Sequence, residues 1–121
     1  MTQEELMLHD FVRCKADGSV VQIKTHWDIY SAKDFDPVPI TPEILKKNGF
    51  EVDMYSTLQL GNGKWLEYYH HEHRLRVWWK GIDEWDNHSE VTELVSQCHV
   101  WYVHELQHAL RLCKIDKEIR L

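Results

Sequence analysis

His104-Glu105-Leu106-Gln107-His108 is the one literal match to a catalytic pattern in this chain. On a helix, residues four apart share a face, so two imidazoles at this spacing can hold one zinc ion. The glutamate would then activate a zinc-bound water, the chemistry of a hydrolase. Such a site needs a third protein ligand. A metzincin-type extension would place Gly at position 111 and His at 114, but Arg111 and Lys114 stand there. Only 13 residues follow His108, so a third ligand is expected from upstream. His70, His71, His73 and His99 are the candidates, with His71 completing the set of His104 and His108.

The competing expectation comes from the helix itself. At 100° per residue, Tyr102, Val103, Leu106, Ala109, Leu110 and Cys113 fall on one face, and His104, His108 and Arg111 on the other. The histidines would then decorate a solvent-facing side, and truncating His108 should leave the fold nearly intact. A motif with two open positions also arises by chance in a chain with nine histidines. This expectation outweighs the zinc one.

Arg74-Leu75-Arg76-Val77-Trp78-Trp79-Lys80 is the second segment with chemistry in it. Strand alternation puts Arg74, Arg76, Trp78 and Lys80 on one face, where Trp78 could stack a base and the arginines hold a phosphate. Alternatively Trp78 packs under loop residues while the arginines pair with surface acids. The net charge of −6 favours the second, since nucleic acid and anionic membrane both need basic surface. His70-His71-Glu72-His73 reads as an exposed bend that could also donate a metal ligand. Six tryptophans either anchor an interface or enlarge a small core.

The elements that must position these residues are legible in part. Phe11 to Lys15 and Val20 to Thr25 are β-prone runs around an Asp17-Gly18 hairpin signal. Trp27 to Tyr30 could add a strand, and Asp34 to Ile40 is extended because each proline disfavours helix in its predecessor. Thr41 to Phe50 carries a full set of helix signals: Thr41 as cap, Pro42 at the first position, Lys46 and Lys47 in the last turn, and Gly49 as terminator. Tyr55 to Leu60, Lys64 to His70 and Arg74 to Lys80 form a second β region. Gly81 to Asn87 reads as a loop, and Glu90 to Val100 as helix or strand.

At 121 residues with 43% hydrophobic and 28% charged content, the chain is expected to form a single domain. Residues 1–36 would be an N-terminal β subregion, and 37–121 the helix, sheet and C-terminal helix. Cys14, Cys98 and Cys113 are odd in number without Cys-x-x-Cys spacing, which favours free thiols and a reducing compartment. No run of about 18 apolar residues occurs, and the acidic start lacks signal-peptide order. A cytoplasmic location without membrane contact is expected.

Pro39-Ile40-Thr41-Pro42-Glu43-Ile44-Leu45-Lys46-Lys47-Asn48-Gly49-Phe50, taken with Tyr102-Val103-His104-Glu105-Leu106-Gln107-His108-Ala109-Leu110-Arg111-Leu112, resembles a family of small hypothetical proteins from gut bacteria and their phages. The resemblance implies a small SH3-like N-terminal β unit and carries no catalytic residue over. Some members have Asn or another residue at the position of His108, which speaks against a zinc role there.

The fold expected is α+β: a small N-terminal β unit, a short capped helix, and a second antiparallel sheet with the C-terminal helix packed on it. The function expected is that of a small non-enzymatic binding or accessory protein of bacterial or phage origin, with a protein or small-molecule partner and no resident cofactor. A zinc-dependent hydrolase using His104, Glu105 and His108 is the first alternative. A nucleic-acid or nucleotide binder using Arg74, Arg76 and Trp78 is the second.

Overall fold

A computed structural model of the chain describes residues 1–83 and 89–121. The fold is α+β, with a three-stranded and a five-stranded antiparallel sheet, short helices between them in sequence, and a C-terminal helix. The chain divides into two compact units, one comprising Met1–Ile40 with Trp101–Leu121 and the other Thr41–Val100.

In the first unit, β1 (Phe11–Cys14) pairs on one side with β2 (Val20–Gln22) and on the other with β3 (Phe35–Pro37), giving the order β2-β1-β3. The hairpin forms where Asp17-Gly18 predicts it. Asp17 Oδ1 accepts from the Ser19 amide at 2.9 Å and the Ser19 hydroxyl at 2.7 Å, and Gly18 takes a φ of 74°. Pro37 sits on an outer strand, where a missing N–H does least harm. The sheet is not closed on itself, unlike the small barrel implied by the family resemblance. Leu6, Val12, Ile23 and Ala32 form its core, with Leu8, Ile29 and Phe35 packed around them.

The segment expected to add a strand at Trp27 is instead a helix, α1 (His26–Tyr30). The cause is local: the Thr25 hydroxyl accepts from the Asp28 amide at 3.3 Å, and Asp28 reaches back to the Thr25 amide at 3.1 Å. This reciprocal cap closes two helical donors and outweighs the β preference of Trp, Ile and Tyr.

The C-terminal helix α3 (Val103–Leu112) also belongs to this unit and lies against β1. From the sequence it was expected on the second sheet. Its lead-in pairs with the segment after β3: Pro39 bridges Tyr102, and the Val103 amide donates to the Val38 carbonyl at 2.8 Å. Val103, Leu106, Ala109 and Leu110 are buried, as their spacing predicts.

In the second unit, α2 (Pro42–Lys47) begins with the Thr41 hydroxyl accepting from the Ile44 amide at 3.3 Å and ends before Gly49 at a φ of 90°. Strands β4 (Glu51–Val52), β5 (Ser56–Gly61), β6 (Lys64–Tyr69), β7 (Arg74–Asp83) and β8 (Ser89–His99) follow in sequential order across the sheet. Gly61, Asn62 and Gly63 all have positive φ in the β5–β6 turn, which two glycines make inexpensive. The ambiguous segment from Glu90 is strand, paired with β7 along its length. Residues 81–83, expected in a loop, continue β7; the rest of that expected loop, residues 84–87, lies outside the described residues. A Cβ at Gly81 would collide with the Trp79 ring, which lies across it.

Cross-strand register sorts the side chains into two faces. Ser56, Tyr68 and Leu75 share one face with Leu58, Leu66 and Val77, and most of these are buried. Trp65, Glu67 and Tyr69 share the other with Trp78, Arg76 and Arg74.

Candidate functional site

The chain just before β1 carries the group around which α3 is placed. His9 has a φ of 74°, a left-handed conformation uncommon outside glycine, Asn, Asp and His. This turn sends the Asp10 carboxylate inward, where the residue has no exposed surface. Three donors meet it there. The Met7 amide donates to Oδ2 at 2.8 Å, His108 Nε2 to Oδ2 at 2.6 Å, and Arg111 Nη1 to Oδ1 at 3.1 Å. A carboxylate withdrawn from water requires such compensation.

Gln107 adds a second tie between the same two elements. Its Oε1 accepts from the Phe11 amide at 2.9 Å, and its Nε2 donates to the His9 carbonyl at 2.9 Å. The polar side of α3 is therefore a docking surface for β1, which explains how both faces of the helix come to be covered.

This overturns the expectation that His104 faces solvent, while His108 and Arg111 remain partly exposed as they bond to Asp10. His104 is only 4% exposed. Its ring stacks on Tyr102 and meets His108 edge-on, with centroids 5.6 Å apart in the second case. Its Nδ1 has no hydrogen-bond partner among the described residues. Burial pushes its pKa below the ordinary 6.5, helped by His108 and opposed by the negative charges of Asp10, Glu105 and Glu5. Burial is the stronger influence, and it favours the neutral ring.

Glu105 performs a different task from the one its motif suggests. Its Oε1 accepts from the amides of Trp101 at 2.9 Å and Tyr102 at 3.0 Å. These amides belong to the chain entering α3, so the carboxylate closes the helix N-terminus and lies at its positive end. The five-residue pattern thus divides into a helix cap (Glu105), a buried ring (His104) and a partner for a buried carboxylate (His108).

A carboxylate bonded to one ring nitrogen is also how proteins orient a catalytic or metal-binding imidazole. What that arrangement needs next is a nucleophile or further ligands. No hydroxyl or thiol among the described residues bonds to His108. Among the described residues, no three His, Cys, Asp or Glu side chains converge in a way that could hold a metal. His71 lies exposed in the turn after β6.

The helix ends in a manner that builds a cavity. The Ile115 amide donates to the Leu110 carbonyl at 2.8 Å and the Lys114 amide to the Arg111 carbonyl at 3.0 Å, with Lys114 at a φ of 57°. This paired closure reverses the chain direction. The tail then runs beside α3 and β1, forming a partly open cavity of about 490 Å³ lined by His9, Phe11, Gln107, Arg111 and residues 115–120, among others. Cavities that hold small ligands fall in this range, about 300–1,000 Å³. Neither the cavity nor Asp10 was legible as a site in the sequence.

No family model, curated protein or solved structure matches this chain.

In the second unit, the candidate basic face is largely occupied by its own groups. Trp78 stacks on Trp65 with centroids 6.3 Å apart. The Arg76 guanidinium lies 4.8 Å from the Tyr69 ring centroid, and Arg74 is 3.7 Å from Glu72. Glu67 accepts from both Trp65 Nε1 and the Tyr69 hydroxyl. Trp65 thus covers one face of the Trp78 indole.

The same unit contains a pairing that the sequence did not suggest. Ser56 Oγ and His70 Nε2 are 2.7 Å apart, with the ring edge-on to Tyr68. Burial, then the neighbouring His71 and His73, lower the His70 pKa. Ser56 has no exposed surface, so the pair ties β5 to the end of β6 rather than presenting a nucleophile. Of the described tryptophans, Trp27 is 78% exposed and Trp101 51%; Trp85 lies outside the described residues. Cys14, Cys98 and Cys113 form no disulfide among the described residues, and no described helix is long and apolar enough to cross a membrane.

Proposed function

We propose that this protein is a small non-enzymatic binding protein that holds a small-molecule ligand in the cavity bounded by α3, β1 and the C-terminal tail. The observation that carries this reading is the position of Arg111. It lines the cavity while its guanidinium is held by a fully buried carboxylate. A polar group fixed before binding loses little freedom when a ligand arrives, which is the usual construction of a recognition site. An accessory role in a bacterium or phage, as the two resembling segments imply, accords with a ligand-responsive domain of this size.

The hydrolase reading has less support. Glu105 caps a helix, and the Nε2 of His108 is committed to Asp10. The nucleic-acid reading requires arginines and a tryptophan that are engaged with Glu72, Tyr69 and Trp65.

The test is a fragment panel of aromatic and aliphatic acids, amides, amines and alcohols, mapped by amide chemical shifts on labelled protein. Binding should shift Phe11, Gln107, Arg111 and residues 115–120 together. A panel that moves none of them would overturn the proposal. Metal analysis of tag-free protein addresses the rival: zinc well below one equivalent is expected. One tightly held equivalent, lost with His108→Ala, would favour the hydrolase.

A further inference from the structure

The tail that lines the cavity alternates in exposure. Ile115 and Lys117 are half-buried and Ile119 is buried, whereas Asp116, Glu118 and Arg120 are exposed. Lys117 therefore belongs to the less exposed set, between two isoleucines, while the exposed Asp116, Glu118 and Arg120 also line the cavity. A half-buried lysine packs its stem and keeps its ammonium at the surface, where it is available to an anion. Among the described residues no acid pairs with Lys117. Arg111 bonds through Nη1 to Asp10 and to no other described residue, so further N–H groups of its fork remain. Both cations line the same cavity with Phe11, Ile115 and Ile119, and the charged residues beside them there are Asp116, Glu118 and Arg120.

We infer that the cavity takes a small organic carboxylate with an apolar body. The carboxylate lies between the Lys117 ammonium and the Arg111 guanidinium, and the body covers Phe11, Ile115 and Ile119. This inference rests on the binding-protein reading above. Two features of the lining select the class. A planar carboxylate matches the guanidinium fork and supplies the charge that Lys117 lacks. The apolar wall is dehydrated only by a ligand carrying hydrocarbon, so inorganic phosphate would satisfy the cations and leave that surface wet.

The test compares 4-phenylbutyrate with 4-phenylbutyramide by calorimetric titration at low ionic strength, in the wild type and in Lys117→Gln. The wild type should bind the acid at least tenfold more tightly than the amide. Lys117→Gln should weaken binding of the acid at least fivefold and so reduce that preference, and an unchanged urea midpoint reports that the variant is folded. Inorganic phosphate at matched ionic strength should not displace the acid. Equal affinity of the wild type for acid and amide would overturn the anion inference and leave the cavity reading standing. So would a preference undiminished by Lys117→Gln, or displacement by phosphate. If neither compound binds the wild type while other panel fragments shift the cavity amides, the ligand class is wrong and the cavity right. If no fragment binds either, both readings fall.

Discussion

Asp10 Oδ2 lies 2.6 Å from His108 Nε2, across a sequence separation of 98 residues. The contact joins the entrance of the first paired strand to the last helix. Its energetic weight comes from the full burial of Asp10, compared with a His108 side chain that is 27% exposed. Removing the imidazole takes away little apolar volume, but it deprives a carboxylate with no access to water of one of its three donors.

His108→Ala should therefore destabilise the protein by about 1–3 kcal/mol, the usual cost of leaving a buried polar group short of a partner. The helical projection alone predicts a change within about 0.5 kcal/mol. Urea unfolding separates the two. A loss below the smaller figure would mean that Met7 and Arg111 satisfy Asp10 without help.

Glu105→Ala should cost about 0.5–2 kcal/mol, the range for losing a helix N-terminal cap. Glu105→Gln keeps an acceptor oxygen for the Trp101 and Tyr102 amides and should recover most of that loss. If the two variants were equally destabilised, the negative charge, rather than the capping bonds, would be the stabilising element.

Leu110 is 1% exposed, on the apolar face of α3. Leu110→Ala should cost about 2–5 kcal/mol through lost burial and the cavity left behind. Thermal or chemical denaturation that places it no lower than His108→Ala would show that the site relaxes around the missing side chain.

Lys114→Gly should stabilise the fold, by about 0.5 kcal/mol. The gain is relief of a left-handed backbone at a residue with a side chain, and the greater freedom of glycine in the unfolded chain offsets part of it. Lys114→Val should move stability in the opposite direction. A destabilised glycine variant would indicate that the lysine side chain contributes more than its backbone costs.

Stability should fall as pH drops below about 6.5, the ordinary histidine value from which His104 and His70 are both lowered. The sign follows from proton uptake. Both rings stay neutral in the folded state while the unfolded chain protonates them, so acid favours unfolding until the folded values are reached. Urea midpoints at pH 7.5 and 5.5 measure this, and His104→Gln and His70→Gln should each reduce the difference. An unchanged difference in both variants would assign the pH dependence to other groups.

What the sequence by itself determined was what a few adjacent residues decide. Asp17-Gly18 forces a hairpin, Thr41-Pro42 starts a helix that Gly49 ends, and strand alternation places Leu75 and Val77 inward. Each depends on backbone angles and caps within one turn of chain. The α1 cap was legible in the same way, since Thr25 and Asp28 stand three apart; the β-prone Trp27, Ile29 and Tyr30 masked it. Tertiary structure alone decided the polar side of α3. A hydrophobic projection grades residues by their affinity for water and therefore sends His104, His108 and Arg111 outward. It cannot register that a carboxylate from another part of the chain is buried against them, because that burial depends on where β1 meets the helix. The cavity has the same origin. Lys117 and Arg111 carry no mark in sequence that sets them apart from other cations, and they line one space only because the chain reverses at Lys114.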